Sequence, residues 1–203
     1  MKSTNARCAD GVAAAVAAAV AVAALLAAPL SALAQTGDAG LQAWSRVHEV
    51  FSHPRCANCH VDAGAVPIWS GPHYGPKPRP HGMNVKGGSS RIGAENGLLC
   101  TTCHAAQNAA VLHGPPGAPV WLLAPVSMQW WGKSSAEICA QVKDPARNGG
   151  RTLQALAEHV AKDDLVAWGW KPGPGRQPAP YSAAETATFI KTWAAQGAPC
   201  PAP

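Results

Sequence analysis

The sequence has little with which to build a sheet or a conventional hydrolytic site. Its 203 residues include only two Phe, two Tyr and three Met. No stretch alternates β-branched residues, so no convincing sheet is expected. Acidic residues number 11 against 16 Lys and Arg, a formal net charge of +5. That excess is mild and scattered. No Lys/Arg cluster alternates with stacking aromatics, which excludes a nucleic-acid binder of the usual kind. No glycine-rich phosphate loop and no Ser-His-Asp arrangement stands out. Past residue 28 there is no second long apolar run, so the mature chain is not expected to span a membrane.

The one long apolar run is at the start. Lys2 and Arg7 precede "GVAAAVAAAVAVAALLAA" over Gly11–Ala28, and "PLSALAQ" follows. Ala32 and Ala34 form the small-x-small pattern of a cleavage site. Residues 1–34 therefore read as a secretory signal peptide, cut between Ala34 and Gln35. A retained membrane helix is the alternative, against which the run is mostly weakly hydrophobic Ala. Cys8 lies before the run and leaves with it. The mature chain, 35–203, has 169 residues, enough for one domain. Without Lys2, Arg7 and Asp10 it carries 14 basic and 10 acidic residues, net +4. Its expected location is the periplasm.

Six cysteines remain, and four of them fall in two copies of one pattern. "RCANCH" covers residues 55–60 and "LCTTCH" covers 99–104. The two left over, Cys139 and Cys200, most simply pair in an oxidising compartment. Such a bridge closes a loop of about 60 residues, worth roughly 4 kcal/mol in the chain-entropy model. The alternative is a buried thiol and a separate thiol in the tail.

Gly and Pro supply 20 and 19 residues and gather at 71–82, 113–119 and 171–180. These stretches cannot continue helices or central strands. Between them four helices are expected, near Gly40–Ser52, Ser134–Val142, Arg151–Ala161 and Ala183–Gln196. Leu41, Trp44, Val47 and Phe51 form the apolar face of the first. Leu153, Leu156 and Val160 do so in the third, and Phe189, Ile190 and Trp193 in the fourth. Ser134 with Glu137, and Ser182 with Glu185, have capping-box spacing. Gly197 and Pro199 supply a stop.

In Cys-x-x-Cys-His, residues i and i+3 share a face of a helical turn, so both sulfurs project together. Thioethers from them to the vinyl groups of a haem hold it at its edge, and the adjacent imidazole reaches the iron. This is the c-type haem attachment pattern. A zinc ribbon is the first rival, but 40 residues lie between Cys59 and Cys100, against roughly 15–20 in such sites. A thioredoxin-type pair expects a preceding strand, which neither motif has.

With these motifs in view, the mature chain resembles a dihaem c-type cytochrome of the bacterial periplasm. "VHEVFSHPRCANCH" is similar to the first helix and haem site of small cytochrome c domains. "SAAETATFIKTWAAQGAPC" resembles their closing helix. "HGMNV", "PPGAPVWLLAP" and "KDPARNGGRTL" look like a narrower proteobacterial group often labelled as a subunit of isoquinoline 1-oxidoreductase, a molybdenum hydroxylase. The resemblance implies a mainly α, loop-rich fold with cytochrome c-like helices packed around two covalently bound haems. It implies that Cys56 and Cys59 attach one haem c with His60 as proximal ligand. Cys100, Cys103 and His104 do the same for the second. It also implies a redox partner protein, with a molybdenum hydroxylase as one candidate.

Each iron has a second axial position. Met83 lies 23 residues past His60, and Met128 lies 24 past His104. Both are candidate sixth ligands, and both could instead be core filler. His81 shares "HGM" with Met83, and only one of the two can serve one iron. His159, on the third expected helix, is a further candidate; a satisfied polar residue is the bland alternative. The expected set is Met128 for one haem and His81 or Met83 for the other, with His159 in reserve. His48, His53, His73 and His113 read as solvent-facing, capping or loop residues. Trp130, Trp131, Trp168 and Trp170 are candidate haem walls or plain core. Arg79, Lys86 and Arg91 are candidate propionate partners.

Electron transfer is the function these residues point to, as a carrier or as an accepting subunit of an oxidoreductase. A dihaem peroxidase with one open iron is the alternative, with Glu95, Glu137 or Glu158 available as acid-base groups. A haem sensor would need a signalling domain, which the sequence does not show.

Overall fold

The helices begin where the sequence offers caps. In the computed structural model, which describes residues 39–62, 64–71, 77–89 and 99–203, helix α1 covers 39–51. A single turn, α2, follows at Pro54–Ala57. Ser134 caps α3 (Ser135–Lys143), with both halves of the box formed to Glu137. Thr152 caps α4 (Leu153–Lys162) through Ala155 N–H. Asp163 ends α4 and caps the short α5 (Asp164–Ala167). Ser182 caps α6 (Ala183–Ala195). Gly197, at φ 79°, turns the chain out of α6 in the left-handed region. The described residues are thus mainly helical. Residues 1–34, where a signal peptide is expected, lie outside them.

Residues Gly40–Pro203 form one compact unit. Its core gathers Trp44, Val47, Val50 and Phe51 of α1 with Ile138 and Val142 of α3. Leu156, Ala157 and Val160 of α4 and Ala187, Ile190 and Trp193 of α6 complete it. Burial of each large apolar side chain contributes roughly 1.5–3 kcal/mol. The expected face of α1 is corrected at one position: Leu41 is 37% exposed, and Val50 is fully buried. Trp44 and Trp193 pack with ring centres 4.8 Å apart. Their indole N–H groups donate to Ser135 Oγ and to the Pro199 carbonyl, each at 2.8 Å. Neither large ring therefore buries a donor without a partner.

The C-terminal tail is fastened across this core. Cys139, on α3, is disulfide-bonded to Cys200, with Cα atoms 5.7 Å apart. Lys143 Nζ donates to the Ala198 carbonyl at 2.7 Å. A Cβ on Gly40 would stand 2.6 Å from Pro199 Cγ, so only glycine allows α1 to start against the tail.

The rest is loop, with three-residue 3-10 turns at Gly87–Ser89, Cys100–Thr102 and Trp168–Trp170. One antiparallel pair exists, β1 (Ile68–Trp69) on β2 (Arg79–Pro80). It has two rungs, too short to show as alternation in sequence. Among the described residues no helix is long and apolar enough to cross a membrane.

Candidate functional site

Each Cys-x-x-Cys-His motif forms one tight turn. At the first, His53 caps α2 by accepting from Arg55 N–H, and Pro54 presets the opening φ. Cys59 N–H then donates to the Cys56 carbonyl at 3.1 Å, and His60 N–H to Ala57 at 3.1 Å. At the second, the 3-10 turn carries Cys100, and the N–H groups of Cys103 and His104 both donate to its carbonyl. The geometry places both thiols of each pair within one turn. Burial pushes the Cys56 thiol up to about 12 and the Cys59 thiol up to about 11. Neither is a thiolate at neutral pH, the opposite of an activated redox pair.

The two motif histidines are held alike. His60 Nδ1 lies 3.0 Å from the Met128 carbonyl oxygen. His104 Nδ1 lies 2.7 Å from the Pro116 carbonyl oxygen. A carbonyl only accepts, so Nδ1 carries the proton in both rings and Nε2 keeps its lone pair. Nε2 makes no hydrogen bond among the described residues. Each imidazole also lies flat on a tryptophan. Trp130 stacks on His60 at 3.5 Å and 2°, and Trp121 on His104 at 4.6 Å and 6°. Phe51 backs Trp130 at 4.4 Å and 8°. Burial lowers the His60 pKa to about 4, and it also lowers that of His104. Both rings are neutral, the state in which imidazole binds metal.

Two clefts open in front of these rings. The first has an empty volume of about 1590 Å³, part of it open to solvent. It is lined by Cys56, Cys59 and His60, and by Val160, Trp168 and Trp170. The second, about 990 Å³ on the same measure, is lined by Cys100, Cys103, His104, Ile68 and Trp69. Cys59, Arg55, Trp121, Leu123 and Trp168 line both, so the clefts share a wall.

The shared wall is fixed by Asn108. Its Oδ1 accepts from Trp168 Nε1 at 2.9 Å and from Gly117 N–H at 3.1 Å. Its Nδ2 donates to the Lys171 carbonyl at 2.8 Å. A Cβ on Gly117 would come within 2.3 Å of the carbonyl oxygens of Ala105 and Gln107. That close crossing brings Pro116 against His104.

A second histidine lines each cleft. His159, on α4, faces the first cleft with His60. Its Nδ1 lies 3.3 Å from Asp163 Oδ2. His81 lines the second, with its ring centre 5.9 Å from that of His104. Its Nδ1 lies 2.7 Å from the Gly82 carbonyl oxygen. Met83 also lines the second cleft but is 51% exposed, at φ 63°. Met128 lines the first cleft with its side chain packed against the core, and its carbonyl oxygen holds His60 Nδ1.

Other expectations are redistributed. Trp131 is 37% exposed and lines neither cleft. Arg79 is exposed on β2, and neither it nor Lys86 lines a cleft. Arg176 and Arg151 do, and both come from loops whose sequence singled out neither. Arg176 is 9% exposed and donates to the carbonyls of Pro172 and Gly114. No carboxylate pairs with it among the described residues. Glu137 serves the α3 cap, and Glu158 accepts from Gln154. His48 is half-buried beside Trp44. The backbone N–H of His113 donates to the Pro174 carbonyl. His73, Arg91 and Glu95 lie outside the described residues.

Among the described residues no group of three or more His, Cys, Asp or Glu side chains is arranged to hold a metal ion by itself. Comparison of the chain with family models, with curated proteins and with solved structures finds no match.

Proposed function

We propose that this protein is a periplasmic dihaem cytochrome c that transfers electrons, with Cys56, Cys59 and His60 holding one haem c and Cys100, Cys103 and His104 the other. The observation that carries the reading is the repeated device at the two motifs. In each, the histidine after a thiol pair has Nδ1 committed to a backbone carbonyl, leaving Nε2 without a partner at an apolar cleft.

The residues fit the cofactor in three further ways. A haem iron already carries four porphyrin nitrogens, so one protein nitrogen per face suffices and no three-residue cluster is needed. Arg176 is a buried cation with no acidic partner, a costly arrangement unless an anion completes it. A haem propionate is such an anion. Trp130 Nε1 is likewise buried without an acceptor. The Cys56 and Cys59 thiols are neutral and half-buried, suited to covalent capping and ill suited to exchange.

Haem iron, when bound, supplies a one-electron couple. What this chain's residues add is placement. His60 and His104 keep their tautomer through the carbonyls of Met128 and Pro116. Trp130 and Trp121 fix the ring planes. Because Trp121, Trp168 and Arg55 line both clefts, haems held in them would be neighbours across that wall. The Cys139–Cys200 bond fits an exported protein, because such bonds persist in oxidising compartments. A redox protein is the expected partner; the resemblance makes a molybdenum hydroxylase one candidate. A dihaem peroxidase asks instead for an iron with an open sixth position, and the second histidine on the wall of each cleft favours the closed reading.

The test is expression of the full chain together with a cytochrome maturation system. The predicted product is coloured, contains two haems per chain by pyridine haemochrome, and is reduced and reoxidised without turning over peroxide. Peroxide turnover by the purified protein would move the assignment to the enzyme alternative.

A further inference from the structure

We infer that both irons are closed by a second histidine, His159 opposite His60 and His81 opposite His104, with no methionine sulfur on either. This rests on the dihaem reading above. The second cleft carries the metric evidence. Two imidazoles bonded to opposite sides of one metal at about 2 Å each have ring centres roughly 6 Å apart. The rings of His81 and His104 are 5.9 Å apart, with planes at 34°. Each has Nδ1 bound to a backbone carbonyl and Nε2 left over. Met83 borders the same cleft, but half of it is exposed.

The first cleft carries the chemical evidence. His159 Nδ1 is anchored on Asp163 Oδ2 at 3.3 Å. The other Asp163 oxygen is engaged by the N–H groups of Leu165 and Val166. A carboxylate so held fixes both the tautomer and the plane of a ligating imidazole. Nε2 is again the nitrogen without a partner. Met128 also lines this cleft, but its side chain is 6% exposed and packed into the main core, and it has no anchor comparable to Asp163.

Asp163 is then a positioning residue. Hydrogen bonding from Nδ1 to a carboxylate makes the imidazole a stronger donor, which favours the ferric state. The pair at the second iron, by contrast, leans on neutral carbonyls alone.

The experiment is near-infrared and EPR spectroscopy of oxidised wild-type holoprotein whose mass first shows two haems. Two low-spin bis-nitrogen centres without the far-red band of sulfur-ligated ferric haem are expected. A sulfur band from such material overturns the ligand assignment and leaves the dihaem reading standing. A mass of bare polypeptide overturns both. His159→Ala and His81→Ala are each expected to turn one iron high-spin and open it to carbon monoxide, with low spin restored by added imidazole. Met83→Leu and Met128→Leu should leave both irons low-spin. If the alanine variants fail to fold, His159→Met and His81→Met keep a ligand, and each should introduce the sulfur band. Persistence of both original low-spin signals in any folded histidine variant contradicts the assignment. Asp163→Asn, which keeps the α5 cap, should raise one midpoint potential and leave the other unmoved. Two unmoved potentials would remove Asp163 from the account.

Discussion

The two clefts use the same chemical device on very different supports. The first is set into the helical frame. Phe51, Val160 and Trp130 serve both its wall and the main core. The second is walled by loops, a two-rung strand pair and a 3-10 turn. The buried apolar residues of its lining, Pro67 and Leu123, stand outside the core cluster. Leu99 and Met83 on its rim are more than half exposed. The difference teaches that a histidine, a carbonyl and a tryptophan can be brought together without a shared scaffold. It also teaches that the described residues of the second region gather no apolar core of their own, so a haem held there, as proposed, would serve as that core.

The largest effect should come from removing the cofactor on each side separately. Cys100→Ala with Cys103→Ala should drop the haem count from two to one and expose segment 99–123 to limited proteolysis. Cys56→Ala with Cys59→Ala should lose the other haem yet keep most helical circular dichroism. Equal proteolysis in both variants would erase the contrast. Next in size is the pair of stacked tryptophans. Trp130→Ala removes a ring that is 5% exposed, and should cost about 3–5 kcal/mol in denaturant unfolding. Trp121→Ala, at the loop-borne site, should cost less. Trp121 costing as much as Trp130 would show that the second region has more internal packing than its burial suggests.

The helical side can also be loosened by itself. Cys139→Ser with Cys200→Ser should cost about 2–5 kcal/mol. The loss should register first in the Soret dichroism of the haem on His60. The smallest effect is one of pH. Burial, with Arg55 adding to it, lowers the His53 pKa from 6.5 to about 4. Above 6.5 the ring is neutral whether folded or unfolded. As pH falls, the unfolded chain takes up the proton first, so stability declines between 6.5 and about 4. Protonation also removes the Nδ1 acceptor that caps α2. His53→Asn keeps a capping acceptor and should flatten that pH dependence of the melting temperature. An unchanged slope would place its origin elsewhere.

The helical frame was legible because its signals are local. Ser134 and Glu137, Ser182, and the stripe of Leu156 and Val160 each act within one or two turns. Leu41 departs from its stripe because α1 turns Val50 inward instead. The strand pair was not legible, since two residues per strand leave no period to read. Nor were the carbonyls that hold His60 and His104, because every residue has one. Met128 is an example: its sulfur stands out in the sequence, whereas its carbonyl contact with His60 Nδ1 does not. Trp121 and Asn108 act across long sequence distances and carry no spacing signal. Asp163 could have been found, since it stands four residues after His159 on a helical repeat.

The central claim is that both thiol pairs carry haem. Intact-mass spectrometry of the purified chain, made alongside a cytochrome maturation system, tests it most directly. The account predicts a mass exceeding that of the processed polypeptide by two haems, falling by one in each double-cysteine variant. A wild-type mass equal to polypeptide alone contradicts it.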